Sequence, residues 1–292
     1  MSERQTVGWI GAGAMGLPIC RHLLKAGCEV VVYDRLPERV APAVAAGASG
    51  ADSIRQLARR CELVFSMVYD DQAFETVVTG SDGVLAGIRP GSLYIDMSTV
   101  SPGISRQMAV LLARQGVRYL RAPVSGSVGL AEAGDLTVLV SGDPEDLQAC
   151  RPILQLFSRT QTYEGPGEAA RIVKLVINAM VVGSTVLIGE ALALGESAGL
   201  PRDQLVDAIN ASIAGSRHFA ARAEGLKFRR YGSAGPLHLV AKDLDLALGL
   251  EDGTDLGLTL LRHARSRIGA LIGQGMGELE VTALAEPLKR EG

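Results

Sequence analysis

A run of apolar, strand-forming residues, Val7–Ile10, passes directly into Gly11-Ala12-Gly13-Ala14-Met15-Gly16, and from Met15 to Ala26 the apolar residues recur at helical spacing. Strand, glycine turn and helix in that order leave few folds open. In such a unit the first glycine permits the tight turn, the second lets backbone N–H groups approach a pyrophosphate, and the third lets helix pack closely on strand. The helix N-terminus adds partial positive charge for the phosphates. A second apolar run, Val30–Tyr33, ends in Asp34, 18 residues after Gly16, where a carboxylate can hydrogen-bond a ribose 2′-OH. Gly11, Ala12, Gly13, Ala14, Met15, Gly16 and Asp34 are therefore candidate cofactor-binding residues. The competing reading is a glycine-rich turn with Asp34 as a capping residue. The Asp34 carboxylate would repel the 2′-phosphate of NADP, which favours NAD. Arg35, turned inward, would pair with that phosphate and leaves NADP open.

The same texture continues to about residue 163. The runs Leu63–Met67, Leu93–Ile95, Val117–Leu120 and Thr137–Val140 are continuous rather than alternating, as in strands buried on both faces of a parallel sheet. Helical stretches such as Ile104–Gln115 separate them. Strand–helix repetition means βαβ units and an α/β fold with a Rossmann-like, doubly wound sheet. Ligands of such sheets bind outside the carboxyl ends of the strands. That draws in Met67-Val68-Tyr69-Asp70-Asp71 and Asp96-Met97-Ser98-Thr99-Val100-Ser101-Pro102, although the second segment serves equally well as a helix N-cap cluster.

At Gly165-Pro166-Gly167 the texture changes. From Glu168 to about Ala198 there is no breaker cluster, and apolar residues cover nearly every face. A helix of that length spans roughly 45 Å, and an all-round apolar helix is expected to be buried. It stops at Gly199-Leu200-Pro201, and beyond it only helical segments follow, Arg202–Ala211, Leu239–Asp252, Leu258–Gly273 and Glu280–Leu288. The chain is predicted to form a dinucleotide-binding domain over 1–164 and an all-α substrate and oligomerisation domain over 165–292, built on the long helix.

A formal charge of −3 with no basic run argues against a nucleic-acid partner. Cys20, Cys28, Cys61 and Cys150 have no metal-ligand spacing, so no metal is expected and the thiols read as core residues of a reducing compartment. The N-terminal stretch has no signal-peptide h-region, and Lys174 and Asn178 interrupt the most apolar stretch, Ile172–Ile188. A cytoplasmic protein with no membrane span is the expectation. Thirty-five glycines among 292 residues point to many tight turns or close backbone approaches.

Lys174 and Asn178 stand at i and i+4 on the long helix and share a face. They read either as a snorkelling lysine and an ordinary interhelical hydrogen bond or as chemistry. A desolvated lysine has a lowered pKa and exchanges protons near neutrality, as carbonyl reduction requires. Ala122-Pro123-Val124-Ser125-Gly126-Ser127 is either a polar turn or a loop offering N–H groups and two hydroxyls to a carboxylate. Lys242-Asp243-Leu244 reads by default as an exposed charge pair.

In chain order, these segments resemble the β-hydroxyacid dehydrogenase family, which includes 3-hydroxyisobutyrate dehydrogenase, tartronate semialdehyde reductase and the glyoxylate/succinic semialdehyde reductases. The likeness is carried by Val7 to Pro18, Asp96 to Pro102, Ala122 to Gly126, Gly167 through Lys174 to Asn178, and Lys242-Asp243-Leu244. The resemblance implies that Lys174 is the general acid/base and that Ser125, Gly126, Ser127 and Asn178 orient a small hydroxyacid or semialdehyde. It implies that Val68, Tyr69, Thr99 and Lys242 line the nicotinamide end, beside Met67 as a further cofactor-binding candidate from the strand end, and that the long helix is buried between subunits of a homodimer or homotetramer. Gly126-Ser127 is similar to the glyoxylate/succinic semialdehyde branch, yet Asp34-Arg35 stands where that branch carries Asn-Arg. Arg121, Tyr69 and Asp135 also depart from the common pattern, which leaves the substrate unnamed. Two other readings are an imine reductase, which usually lacks the lysine, and a cofactor-binding protein without turnover, which has no need of Lys174, Asn178 and Lys242 together.

Overall fold

The computed structural model describes residues 5–233, 235–251 and 253–286. The chain opens as alternating strand and helix: β1 (Thr6–Ile10), α1 (Gly16–Lys25), β2 (Glu29–Tyr33), α2 (Pro37–Ala45), β3 (Ser49–Gly50) and α3 (Ile54–Arg60). There follow β4 (Leu63–Ser66), α4 (Asp71–Thr79), β5 (Leu93–Asp96), α5 (Pro102–Arg114) and β6 (Arg118–Arg121). After these come β7 (Val124–Ser125), α6 (Val128–Ala133), β8 (Leu136–Ser141), α7 (Pro144–Leu154) and β9 (Ser158–Gly165).

The strands form one sheet in the order β3-β2-β1-β4-β5-β6-β8-β7, with β9 beside β8. β1 to β6 pair in parallel. The order reverses between β1 and β4, and the loops after these two strands meet where Met67 N donates to Ile10 O at 2.9 Å. Strand alternation builds a core on each face. Val7, Trp9, Leu63, Phe65, Leu93 and Ile95 pack on one side, and Ile10, Val64 and Tyr94 on the other. Trp9 stacks on Phe65 at 5.4 Å between centroids, and Phe157 meets both rings edge-on.

The sheet is parallel only in its larger part. β8 runs antiparallel to β6 and β7. The ten residues Gly126–Asp135 that join β7 to β8 are fewer than the dozen or more a parallel crossover needs. Strand β9 carries no apolar run to announce it. Its sequence, SRTQTYEG, is mostly polar and half-exposed, and among the described residues it pairs with β8 alone.

The long helix is α8 (Ala169–Ser197). Two compact units divide the chain, Met1–Lys174 and Leu175–Gly292, so the first turn and a half of α8 belong with the sheet. The second unit continues with α9 (Arg202–Ala211), α10 (Arg217–Ala220), α11 (Ala223–Phe228), α12 (Leu237–Leu248) and α13 (Thr259–Gly273). Its larger core joins Leu175, Val182 and Val186 of α8 to Leu244 of α12 and Ile268 of α13. Within a single chain the expected burial of α8 holds for one face only. Met180, Leu187 and Leu194 are 71%, 61% and 73% exposed, because the helices of its own unit cover a single stripe of it. By length and composition alone α8 could cross a membrane. The helix expected over Glu280–Leu288 is a short 3₁₀ turn, Val281–Ala285, and Pro287 and Leu288 lie outside the described residues, as does Asp252.

Candidate active site

The glycine loop is shaped by its immediate neighbours. Gly11 sits at φ +98°, and a Cβ there would lie 2.2 Å from Met67 O; at Gly16 it would lie 2.0 Å from Gly11 O. Neither position has room for a side chain. At Gly13 the nearest atom to such a Cβ is Arg39 Nη1, 3.8 Å away, so the space above the second glycine is open. A cavity of about 440 Å³ opens there, lined among others by Ala12, Gly13, Ala14, Arg21 and Arg39. Met15, at the head of α1, supplies no side-chain cap, so the first N–H groups of the helix are not claimed by one. A dinucleotide pyrophosphate fits this cradle: open backbone over Gly13, a helix N-terminus, and two arginines on the wall. Asp34 is buried; its Oδ2 accepts from Ala12 N at 2.8 Å and its Oδ1 from Leu36 N at 3.0 Å. Each oxygen keeps a lone pair for a ribose hydroxyl. Arg35 is exposed, as is Arg39.

The second polar assembly lies at the ends of β4, β5 and β6. Asp96 is fully buried. Its Oδ1 accepts from Ser66 Oγ at 2.6 Å and Ser98 Oγ at 2.8 Å, and its Oδ2 from Arg171 Nη2 at 2.8 Å and Ser98 N at 3.2 Å. All four lone pairs of the carboxylate are used. Ser98 Oγ in turn accepts from Val68 N at 2.9 Å. Arg171, at 1% exposure, also donates to Ser98 O at 2.9 Å and Tyr119 OH at 2.7 Å, and its Nε faces Glu168 Oε2 at 3.3 Å. Burial works against this guanidinium charge, but Tyr119, Asp96 and Glu168 more than offset it and hold its pKa above the ordinary value. Burial, and then the Asp96 charge, push the Tyr94 phenol well above its usual range.

Two departures noted in the sequence have partners in the structure, Arg121 within this assembly and Asp135 outside it. Arg121 donates from Nε and Nη2 to Glu168 Oε1, at 2.9 and 2.5 Å, and lies over the Tyr119 ring. Asp135 pairs with Arg159 at 3.1 Å. The Asp96–Ser101 segment divides its labour: Ser101 caps α5 by accepting from Ile104 N, while Asp96 and Ser98 belong to the buried network. Thr99 follows Ser98 directly, and Lys174, half-buried, follows Arg171 by three residues on α8.

Ser125 ends β7 and Gly126 follows it, at φ +148° and with a Cβ there only 2.6 Å from Leu136 Cδ2. Ser127 Oγ accepts from Leu130 N at 3.4 Å as the cap of α6, which leaves its O–H able to donate elsewhere. His22 of α1 donates from Nε2 toward the carbonyls of Ala131 and Glu132 at 3.1 and 3.0 Å, fixing the end of α6 to the helix that follows the glycine loop. Tyr69 is 51% exposed. In the second unit Asn178 Nδ2 donates to Asp243 Oδ2 at 2.8 Å, and Lys242 Nζ lies 2.8 Å from Asp243 Oδ1. Lys242-Asp243 is thus a largely buried pair engaged by α8 rather than an exposed one. Arg217 is exposed and His218 half-buried.

Arg171, Glu168, Ser66, Arg39 and Arg21 were not among the expected site residues. A charged Arg171 three residues before Lys174, on a largely apolar helix, was a usable signal, since a buried cation requires an acidic partner.

A parallel sheet with a glycine loop at its switch point defines a nucleotide-dependent dehydrogenase scaffold. Comparison with known proteins makes it specific. A family profile described as the NAD binding domain of 6-phosphogluconate dehydrogenase matches residues 6–165, and one described as NAD-binding of NADP-dependent 3-hydroxyisobutyrate dehydrogenase matches 168–288. The chain is 33% identical to 2-(hydroxymethyl)glutarate dehydrogenase of Eubacterium barkeri, over 96% of this chain and 94% of that protein. It is 35% identical to 3-hydroxyisobutyrate dehydrogenase of Pseudomonas aeruginosa, over 83% and 84%. The structure of Mycobacterium tuberculosis 3-hydroxyisobutyrate dehydrogenase with L-serine superposes with a TM-score of 0.87 at 26% identity, covering 97% of this chain and 98% of that one. The chain belongs to the NAD(P)-dependent β-hydroxyacid dehydrogenase family.

Proposed function

We propose that the chain interconverts a short β-hydroxyacid and its semialdehyde or oxo acid, with NAD favoured over NADP and Lys174 as the general acid/base. The observation that carries this reading is Lys174 on the turn of α8 that Arg171 ties to the strand ends, in the same compact unit as the glycine loop. When bound, the nicotinamide supplies or accepts the hydride. In oxidation Lys174, neutral, takes the hydroxyl proton; in reduction, protonated, it returns one to the carbonyl oxygen. Ser125, Gly126, Ser127 and Asn178 hold the substrate carboxylate and hydroxyl in near-attack geometry, an orientation effect worth up to about 7–11 kcal/mol. Gly11 to Gly16 and Asp34, with Arg35 nearby, hold the adenosine and pyrophosphate, while Met67, Val68, Tyr69, Thr99 and Lys242 bound the nicotinamide end. The apolar face of α8 that a single chain leaves open, Met180, Leu187 and Leu194, supports a homodimer or homotetramer, which we place in the cytoplasm.

The test is NADH and NADPH consumption with tartronate, methylmalonate and succinate semialdehydes and glyoxylate. Turnover with at least one, faster with NADH, is expected. Lys174→Ala should lower kcat by orders of magnitude while NADH still binds. A Lys174→Ala protein near wild-type turnover overturns the assignment, and NADH binding without turnover on any member of the panel favours a non-catalytic binding protein.

A further inference from the structure

We infer that Arg171 is a positioning residue for catalysis, fixing Lys174 and the nicotinamide-end loops Val68 and Thr99 in one mutual geometry; the inference rests on the assignment of Lys174 as acid/base.

One guanidinium joins three pieces of chain. It holds the carbonyl of Ser98, the peptide unit that leads into Thr99, and it holds Asp96, whose carboxylate fixes the Ser98 hydroxyl. That hydroxyl accepts the N–H of Val68. Its own backbone stands in α8, three residues and less than one turn before Lys174. The cofactor-side loops after β4 and β5 and the helix bearing the lysine are therefore fixed by one set of buried bonds. Stability alone does not explain such a set. Replacing a buried ion network by apolar residues of similar volume is commonly neutral or stabilising, and this one sits beside apolar cores that could extend into its place. Arg171 Nε and Glu168 Oε2 face each other without a hydrogen bond, but the bonds made by the two Nη groups supply a single geometry. Arginine suits it, because its planar fork reaches Ser98 O, Asp96 Oδ2 and Tyr119 OH at once, whereas a lysine ammonium is a point charge on a flexible stem.

The experiment compares Arg171→Lys, which keeps the charge, with Tyr119→Phe, which removes one hydroxyl, each in the wild-type and Lys174→Ala backgrounds. Rates are measured with whichever semialdehyde of the panel the wild type turns over fastest. NADH affinity is read by fluorescence titration, and Lys174 mobility in the apo protein from the ¹³C line width of its reductively dimethylated amine. Arg171→Lys should lower kcat at least tenfold, leave the NADH Kd within about twofold, narrow the Lys174 line, and add no further loss on Lys174→Ala; Tyr119→Phe should act in the same direction, more weakly. The proposal is overturned by wild-type kcat in Arg171→Lys, or by an equal fold-loss in both backgrounds, which would mark a structural role independent of Lys174. If Lys174→Ala itself is fully active, the acid/base assignment fails and this inference with it. If Lys174→Ala is inactive and Arg171→Lys is not, the inference alone fails.

Discussion

The glycine loop and the Arg171 network both stand at the carboxyl ends of the strands, but they are assembled over very different lengths of chain. The loop is six consecutive residues whose acidic partner, Asp34, is 22 positions from Ala12. The network joins Arg171 to residues 52, 73 and 75 positions away. The loop works by absence of side chains and by backbone N–H groups, so each of its residues is expected to fail by its own local clash or contact. The network works by opposite charges held together away from the surface, so its members are expected to fail together.

The largest effect should come from breaking the network at its acidic centre. Asp96→Ala removes the carboxylate that Arg171 Nη2 and both serines bond, leaving Glu168 as the remaining counter-charge, and such a loss costs up to about 3–5 kcal/mol, read as a lowered urea midpoint with unchanged m. A cost below about 1 kcal/mol would mean that water reaches the guanidinium and that the two regions are alike. Gly11→Ala comes next, because a Cβ 2.2 Å from Met67 O at a positive φ forces the backbone to move. Strain of about 1–3 kcal/mol is expected in the apo protein, with NADH binding lost in the same titration. Gly13→Ala is the sharper probe of the loop. Its Cβ meets nothing closer than 3.8 Å, so apo stability should change by less than about 0.5 kcal/mol, while NADH affinity falls about tenfold, or about 1.4 kcal/mol. Unchanged affinity would mean that the pyrophosphate does not approach the backbone there.

The same contrast decides what was legible in the sequence. Gly11, Gly13, Gly16 and Asp34 could be read because their chemistry is local and their spacing is set by one strand–turn–helix unit. The six apolar runs could be read because strands buried on both faces have to be apolar, and each has its strand in the sheet. Strand β9 could not, being polar and paired on one side among the described residues. The charge of Arg171 was visible on its apolar helix but its partnership was not, because nothing in the chain around residue 171 marks Asp96 as its partner; only folding brings them within 2.8 Å. Asp96 and Ser98 stood in a segment equally suited to capping a helix, and the structure gives that task to Ser101 instead. The open face of α8 illustrates the converse, an apolar pattern that a single chain satisfies on one side only.

His218, in the helical unit, extends the comparison to a half-buried polar group with no counter-charge bonded to it among the described residues, and carries the smallest expected effect. Thr185 Oγ1 donates to Val181 O, so His218 Nε2 donates to Thr185 Oγ1 at 3.0 Å, the neutral tautomer with its proton on Nε2. Burial, and then the Arg222 charge, push the His218 pKa down to about 4 from 6.5. The unfolded chain therefore takes up a proton between pH 6.5 and 4 that the folded chain refuses, and stability falls as pH falls through that window, levelling below it. Above pH 6.5 both states are neutral and the residue contributes no slope. His218→Gln keeps an amide near the Nε2 position without the titration, so its Tm should decline less than that of the wild type between pH 6.5 and 4 and match its slope above. Equal slopes within that window would show that His218 is protonated in the folded state and that water, unlike at Arg171, reaches it.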